Sequence, residues 1–339
     1  MSWLLIAPLL SMVAAWACTG LMLGYAARHL IDLPTERSSH VRPTPRGGGV
    51  SFVIAHLTGL VVGCWYGVLS REFVTAVGAG GLLIAAVGFI DDHRHVPAGV
   101  RLITHASGCA AFVAIVGGLS SLLFGTHLIH LGLVGQLMML LVMVWHVNLF
   151  NFMDGIDGIA GMQALALAIP GAVLAGWQTG ELATAVPFLL LAGSVAGFLY
   201  WNWPPAKIFM GDVGSGYLGF ALAAMGFWTV VEGWLTVWVW VILGGAFLVD
   251  ATMTLLVRAN SGLALTEPHR SHAYQRLSRH WRGHRPVTLA YAAVNIGWLW
   301  PWAALAAFRP DFGAAAAALA IVPLTFVSFR LGAGRAGDI

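Results

Sequence analysis

Eleven long apolar stretches, separated by short polar gaps, account for most of this chain. They cover roughly residues 3–27, 47–69, 73–90, 100–123, 132–149, 159–177, 184–201, 215–231, 234–257, 287–307 and 311–329. Because about 20 apolar helical residues cross about 30 Å of hydrocarbon, each stretch predicts a transmembrane helix. Only Arg309, Pro310 and Asp311 separate the last two stretches. The pattern therefore predicts 10–11 transmembrane helices in one all-α membrane domain over residues 1–339.

The composition supports a polytopic membrane protein. Hydrophobic residues make up 59% of the chain and charged residues 9%, whereas soluble domains have about 25% charged residues. The mean hydropathy is +0.82. These values exclude an ordinary soluble enzyme.

Basic residues predict the orientation in the membrane. Fifteen of the 17 Lys and Arg residues lie in or beside the odd-numbered gaps, counted in chain order, and only Arg71 and Arg309 lie elsewhere. Short basic loops stay in the cytoplasm during insertion. We therefore expect a periplasmic N-terminus and odd-numbered gaps at the cytoplasmic face. Their basic residues face anionic membrane lipid and form no stripe of the kind that nucleic acid requires.

The first and third gaps hold candidate ligands for phosphate and metal. Arg46 precedes three glycines, which fits either a phosphate-binding turn or a basic anchor followed by a loop breaker. Asp91 and Asp92 follow an apolar run directly. Adjacent carboxylates repel each other unless a cation or a proton lies between them. The pair therefore predicts a divalent metal or a raised carboxyl pKa.

In the fifth gap, polar side chains recur at every third position. They are Asn148, Asn151, Asp154 and Asp157, and each aspartate is followed by glycine. This spacing brings side chains together on a helical or 3₁₀ turn. Polar groups at bilayer depth are costly, so the cluster indicates a functional site.

The seventh gap contains Asn202, Lys207 and Asp212. Asp212 lies in a glycine-rich turn at the start of the next apolar stretch. A carboxylate beside the free backbone amides of a helix start suits a magnesium ion bound with phosphate.

The ninth gap contains His269, Arg270 and His272. Histidines with arginines can hold a diphosphate and transfer protons. The arginines beyond Arg276 equally fit a basic segment on anionic lipid. Asp250, an intramembrane acid near the same face, could orient a loop or accept a proton.

Together these groups favour metal-assisted phosphoryl transfer. Carboxylates with Mg²⁺, or Mn²⁺ as the alternative, and basic side chains supply the charge neutralisation that this chemistry needs. A site at the membrane surface suggests one substrate from water and one from the bilayer.

Two other classes compete with this prediction. A prenyltransferase using an isoprenyl diphosphate would need a D-D-x-x-D box, but His95 occupies its last position. An ion-coupled transporter could use Asp250 and the fifth gap, although such sites usually lie near the bilayer midplane.

Five motifs resemble one enzyme family. The runs DLPTERSSHVRPTPRGGG, GFIDD, NLFNFMDGIDG, NWPPAKIFMGDVGS and PHRSHAYQR are similar to those of polyprenyl-phosphate N-acetylhexosamine-1-phosphate transferases, over about residues 1–310. The last run resembles the branch that starts bacterial O-antigen or related polysaccharides.

The resemblance implies transfer of a sugar 1-phosphate from a UDP-N-acetylhexosamine to undecaprenyl phosphate, with release of UMP, in the bacterial inner membrane. Asp91 and Asp92 match the paired acids, one of which deprotonates or orients the lipid phosphate. Asp212 matches the magnesium ligand, with Asp92 as a second candidate. The residues expected to bind substrate are Arg46, Asn148, Asn151, Asp154, Asp157, Asn202, Lys207, His269, Arg270 and His272.

Some features stay open at this stage. A position that is lysine in many relatives is Arg101 here, and the two histidines of the ninth gap are not contiguous. The sequence does not decide which sugar is used, which glycan follows or whether the chain forms a homodimer. For the reaction we favour direct attack by a lipid phosphate oxygen on the β-phosphorus over a phospho-aspartyl intermediate.

Overall fold

The structure is a computed structural model that describes residues 2–34, 39, 42–264 and 269–335. The helices are α1 (Ser2–His29), α2 (Gly49–Trp65), α3 (Arg71–His93), α4 (Ala98–Val116), α5 (Leu133–Met153), α6 (Ile159–Thr179), α7 (Val186–Asn202), α8 (Asp212–Val231), α9 (Val237–Leu243), α10 (Gly245–Asn260), α11 (Ala273–His280), α12 (His284–Val294), α13 (Trp300–Phe308) and α14 (Gly313–Arg330). Short strands form two antiparallel pairs, β1 (Ile31–Asp32) with β2 (Thr44–Pro45) and β3 (Ser121–Phe124) with β4 (His127–His130). Residues 182–185 and 310–312 are 3₁₀ turns, and residues 295–299 are π-helical.

The all-α, multi-pass architecture is confirmed. Each predicted stretch contains a helix, and within the described residues eight helices are long and apolar enough to span a membrane on their own. Three stretches differ from a single long helix. Helix α2 has only 17 residues, α9 and α10 meet at a 75° bend, and α12 and α13 are joined by the π-helical segment.

Two predicted boundaries are wrong for local reasons. The stretch predicted over 100–123 leaves the helix after Val116, because Gly117 and Gly118 have φ of 86° and 80°. This left-handed backbone, which glycine adopts readily, leads into the β3–β4 hairpin. In contrast, α5 continues beyond residue 149 to Met153. Asn148 and Asn151 therefore lie in the last turns of a membrane helix.

Helix α8 lies at the centre of the bundle. Nearly all of it is buried, whereas α4 exposes most of its surface. Gly88 of α3 permits a close approach, since a Cβ there would lie 2.6 Å from the Cα of Val213. At Gly219 of α8, a Cβ would lie 2.7 Å from the Cα of Val147. These contacts bring the ends of α3 and α5 to the first turn of α8.

Backbone hydrogen bonds join the first and seventh gaps. Gly48 donates to the carbonyl of Phe209 over 2.9 Å, and Gly49 donates to that of Met210 over 2.8 Å. In the opposite direction, Phe209 donates to the carbonyl of Pro45 over 2.8 Å. Two loops that are far apart in the sequence thus form one floor at the start of α8.

Candidate active site

The five odd-numbered gaps meet around one cavity of about 250 Å³. Its lining is Asp32, Ser39, Arg46, Asp92, Asn151, Asp154, Gly155, Ile156, Asp157, Asn202, Phe209, Met210, Gly211, Asp212, Ser215, Gln275 and His284. Every odd-numbered gap up to the ninth contributes at least one of these residues. The polar segments that the sequence predicted to lie at one membrane face therefore meet at one cavity in the fold.

Asp92 positions the start of α8. Its carboxylate accepts hydrogen bonds from the backbone amides of Asp212, over 3.0 Å, and Val213, over 3.2 Å. The approach requires Gly211, which has a φ of 76° and where a Cβ would lie 2.7 Å from Oδ1 of Asp92. Both oxygens of Asp92 thus satisfy amides that a helix start leaves free. A further role of Asp92 as a metal ligand stays a prediction.

Arg101 bridges two of the predicted catalytic acids. Its Nη1 atom donates to Oδ2 of Asp91 over 2.6 Å and to Oδ2 of Asp212 over 2.8 Å. Asp91 also accepts a hydrogen bond from the amide of Val96 over 2.6 Å, and Asn151 donates to Oδ1 of Asp212 over 2.7 Å. The guanidinium charge offsets the repulsion between the two carboxylates. The sequence indicated only that Arg101 replaces a lysine.

This geometry predicts that charge at position 101 matters more than the shape of the side chain. A single nitrogen makes both contacts, so the ammonium group of Arg101→Lys can replace it. We expect Arg101→Lys to keep turnover within about tenfold of wild type and Arg101→Gln to lower it about a hundredfold or more. Rates of lipid-linked product formation would measure this. Arg94→Gln, at an exposed position, is the control, and equal losses in Arg101→Lys and Arg101→Gln would contradict the prediction.

Arg46 closes the cavity next to the end of α3. Its Nη2 atom donates to the backbone carbonyl of Asp92 over 2.8 Å, and its Nε lies 3.9 Å from the carboxylate of that residue. A cation is favourable at a helix C-terminus. The Arg46 side chain is 39% exposed and lines the cavity, so it can also contact a phosphate there.

Asp154 adds a further carboxyl group at the same place. Removal from bulk water raises the pKa of the half-buried Asp154 carboxyl well above its usual range, and nearby carboxylates, that of Asp212 first, raise it further. A cation bound in the cavity would offset this repulsion and favour the ionised form of the carboxyl group.

A metal ion at this site would need ligands from a substrate or water as well as from the protein. Among the described residues there is no group of three His, Cys, Asp or Glu side chains arranged to hold a metal. Mg²⁺ commonly takes one or two carboxylates together with substrate phosphates and water. Asp212 is suited to this mode because it lies on the cavity wall.

Asn202 joins two of the converging segments. Its side chain accepts a hydrogen bond from the amide of Gly158 over 3.0 Å and donates to the carbonyl of Ile208 over 2.9 Å. Asn202 is 3% exposed. It therefore fixes the start of α6 against the loop that leads to α8.

Other predicted site residues lie outside the cavity lining. Asn148 donates to the carbonyl of Val144 within α5, and the Lys207 ammonium lies 5.1 Å and 5.5 Å from the centroids of the Trp201 and Tyr200 rings. The remaining residues outside the lining are Asp91, His269, Arg270 and His272. Direct substrate contact by any of these six residues stays a prediction.

Asp250 anchors the helix that follows the histidine motif. It accepts hydrogen bonds from the amides of Ala273, over 2.8 Å, and Tyr274, over 3.0 Å. The hydroxyl of Tyr291 donates to it over 2.6 Å. Tyr274 in turn donates to the carbonyl of Phe152 over 3.0 Å. Of the two roles considered for Asp250, orientation of a loop matches these contacts.

We expect Asp250→Asn to weaken the enzyme without abolishing it. The amide group would present N–H atoms to groups that now donate to a carboxylate, so α11 would be held less firmly. An unsatisfied buried donor costs about 1–3 kcal/mol, and turnover should fall about tenfold, less than for Asp212→Asn. Turnover and melting temperature in detergent would be measured for both variants. An Asp250→Asn loss as large as that of Asp212→Asn would contradict a purely anchoring role.

Sequence reasoning missed several cavity residues. Ser215 accepts a hydrogen bond from Asn151 over 3.2 Å, and Gln275 lies in the quoted histidine motif. Three other lining residues lie in polar gaps of the sequence that show no regular spacing: Asp32, Ser39 and His284. No spacing rule marks such residues, because they reach the cavity only through tertiary packing.

Comparison with known proteins identifies the class. Residues 74–230 match the family model "Glycosyl transferase family 4". The chain is 31% identical over 318 residues to the decaprenyl-phosphate N-acetylglucosaminephosphotransferase of Mycobacterium leprae, covering 82% of this chain and 77% of the relative. It is 28% identical over 273 residues to a probable undecaprenyl-phosphate N-acetylglucosaminyl 1-phosphate transferase of Bacillus subtilis, covering 78% and 74%.

A further relative has a different substrate in its name. The phospho-N-acetylmuramoyl-pentapeptide-transferase of Symbiobacterium thermophilum is 32% identical over 234 residues, covering 63% of this chain and 67% of the relative. The chain belongs to glycosyl transferase family 4, within the polyprenyl-phosphate N-acetylhexosamine-1-phosphate transferases. It is a multi-pass membrane transferase that passes an N-acetylhexosamine 1-phosphate to a polyprenyl phosphate. The resemblance to this family is thereby confirmed, and the transporter and prenyltransferase alternatives are set aside, whereas the branch that starts O-antigen stays a prediction.

Proposed function

We propose that the donor is UDP-N-acetylglucosamine, the acceptor undecaprenyl phosphate, and the products undecaprenyl-diphosphate-N-acetylglucosamine and UMP. The observation that carries this proposal is Asp212, which Arg101 and Asn151 hold at the wall of a cavity formed by five polar segments. The names of the mycobacterial and Bacillus relatives support N-acetylglucosamine as the sugar.

Mg²⁺ would be held by Asp212 and would neutralise the charge that develops on the diphosphate. The chain's own residues supply the rest. Arg46 offers an exposed guanidinium to phosphate oxygens, and Arg101 balances Asp91 against Asp212. Asp92 keeps the first turn of α8 in place through two amides. These groups position the reactants and offset their charge, which accounts for most of the catalysis in phosphoryl transfer.

Single displacement suits this arrangement. A non-bridging oxygen of the lipid phosphate forms a bond to the β-phosphorus, the bond from that phosphorus to the bridging oxygen breaks, and UMP leaves with that oxygen. Asp91 and Asp92 already use both of their carboxylate oxygens within the protein, which disfavours either as a covalent nucleophile. Exchange of labelled UMP into the UDP-sugar without lipid phosphate would show a phospho-enzyme and exclude this route.

The cellular role follows from the product. We propose that the enzyme lies in the bacterial inner membrane with the cavity facing the cytoplasm, where nucleotide sugars are found, and that it starts a cell-surface polysaccharide such as O-antigen or a related cell-wall glycan. The basic residues of the odd-numbered gaps support this orientation. Thiol labelling of single cysteines in the odd-numbered gaps, from either side of the membrane, would test it.

A reconstituted assay would test the proposed reaction. The purified protein in vesicles containing undecaprenyl phosphate and Mg²⁺ would be incubated separately with UDP-N-acetylglucosamine, UDP-N-acetylgalactosamine and UDP-N-acetylmuramoyl-pentapeptide. Mass spectrometry of the lipid product and detection of UMP are the readouts. We expect the N-acetylglucosamine product, abolished by chelation of the metal or omission of the acceptor. Exclusive use of either other donor would overturn the choice of sugar.

A further inference from the structure

His284 connects three of the segments that form the cavity. It is the first residue of α12, and its side chain is 16% exposed. Its Nδ1 atom lies 3.2 Å from Oδ1 of Asp157, in the fifth gap, and its Nε2 atom lies 3.1 Å from the carbonyl oxygen of Ser39, in the first. Both oxygens are acceptors, and the backbone amide nitrogen of Asp157 also lies 3.3 Å from Nδ1, where a neutral ring would accept its hydrogen bond. An imidazolium, which donates from both ring nitrogens, satisfies the two oxygens together and gives up the bond from that amide.

Asp157 extends this connection to the seventh gap. Its Oδ2 atom accepts a hydrogen bond from the amide of Ala206 over 3.1 Å, and its backbone carbonyl accepts one from the hydroxyl of Thr288 over 3.0 Å. The carboxylate is therefore engaged on both oxygens, one by His284 and one by the loop that precedes α8. In this arrangement Asp157 ties the segments together while it also lines the cavity.

The charge balance of the cavity favours a protonated ring. Burial alone would lower the pKa of His284, but the hydrogen bond and charge of Asp157, with the carbonyl of Ser39, outweigh it and raise the pKa above its usual value. Asp157 and Asp154 face this wall from the fifth gap, and Asp32 and Arg46 line the cavity from the first. The basic groups in the described lining are Arg46 and His284, so loss of the His284 proton would leave Asp157 without its cationic partner.

We propose that His284, as an imidazolium, is a positioning residue for the nucleotide-sugar donor: it holds Asp157 against the loop before α8 and so fixes the polar wall of the cavity. This inference rests on the proposed function. The wall is polar, formed by Asp157, Asn202 and the Ser39 carbonyl. It suits the hydroxyl, amide and base groups of the donor, whereas the acceptor is apolar apart from its phosphate.

Steady-state kinetics of His284→Gln would test the inference. Glutamine keeps hydrogen-bonding capacity but carries no titratable charge. At pH 6 we expect the KM for UDP-N-acetylglucosamine to rise about tenfold, as for one lost charge-assisted hydrogen bond, with kcat within about twofold. As pH rises, the wild-type KM should increase toward that of the variant, whose KM should depend less on pH. Asp154, Asp32 and Arg46 are unchanged in the variant, so the difference between the profiles reports on His284.

Matched variants complete the design. His280→Gln, at an exposed histidine that ends α11, should behave as wild type. In a double-mutant cycle, Asp157→Asn combined with His284→Gln should cost less than the product of the two single effects, because the pair is broken only once. A wild-type KM in His284→Gln, an unchanged pH profile or a fall in kcat alone would overturn the inference.

Thermal unfolding separates this inference from the proposed reaction. A group whose pKa is raised on folding stabilises the folded state below its unfolded pKa, and that stabilisation is lost as pH rises through the folded pKa. The melting temperature of the wild-type protein in detergent should exceed that of His284→Gln at pH 6, and the difference should shrink at higher pH. This result does not depend on which donor is used. Equal melting curves at every pH would contradict the ion pair, whereas failure of the wild type to use UDP-N-acetylglucosamine would contradict the proposed donor.

Discussion

Asp212→Asn is expected to reduce product formation by about a thousandfold or more, because it removes the carboxylate that would hold the metal and that Arg101 and Asn151 position. Asparagine has nearly the same size, and because the side chain at position 212 is 32% exposed, unlike that of the buried Asp250, water can satisfy the new amide group and the start of α8 should keep its backbone geometry. The loss should therefore appear in turnover and leave the melting temperature in detergent almost unchanged. Formation of the lipid-linked sugar over a range of Mg²⁺ concentrations is the measurement.

Asp311→Asn provides the matched control for charge. Asp311 lies in an exposed pair with Arg309, in a gap predicted to face the opposite side of the membrane, and its loss should leave turnover at the wild-type level. If Asp212→Asn kept more than about a tenth of wild-type turnover, a metal-binding role essential for catalysis would be wrong. Rescue of the variant by a higher Mg²⁺ concentration would instead indicate weakened metal binding.

Gly88→Ala should produce the second large loss. A Cβ at this position would lie 2.6 Å from the carbonyl carbon of Asp212 and 2.6 Å from the Cα of Val213. Because these are backbone atoms, no side-chain rotation relieves the clash, and α3 must move away from α8. A shift of about 1 Å in a catalytic group can cost about a hundredfold in rate. We expect turnover to fall by at least that factor and the melting temperature to fall as well.

Gly78→Ala on the same helix is the control. A Cβ at Gly78 meets no atom within 4 Å, and alanine favours helix over glycine by about 1 kcal/mol. Gly78→Ala should therefore retain full activity and unfold at the same temperature or slightly higher. Similar behaviour of the two alanine variants would show that the close approach of α3 and α8 is unimportant for the site.

The sequence predicted the membrane class well because hydrophobic length is a local property. It also predicted that polar residues of the odd-numbered gaps would meet, since these gaps were expected to share one membrane face, although six of the predicted site residues lie outside the cavity lining. The same reasoning placed one helix over 234–257, but the structure bends by 75° between α9 and α10. Hydropathy does not distinguish one apolar helix from two that meet at an angle, so only tertiary packing reveals the bend.

The role of each site residue was harder to predict than its presence in the site. Asp91 and Asp92 were grouped as a pair that binds a divalent metal or has a raised carboxyl pKa, yet the structure turns Asp91 toward Arg101 and Asp92 toward the amides of α8. Adjacent helical residues point in different directions, and the sequence does not show which neighbour each will meet. His284 was missed for a related reason, because its partner Asp157 is 127 residues away.

The shared Nη1 atom of Arg101 has a consequence for how the enzyme would take up the proposed metal. Asp212 meets an incoming cation with one oxygen already bonded to a guanidinium and the other to an amide. A carboxylate oxygen has a second lone pair to offer, but much of its charge is already balanced. Affinity for free Mg²⁺ should therefore be low, and phosphate oxygens must complete the coordination. The ion would then enter with the nucleotide and depart with it, once in each catalytic cycle.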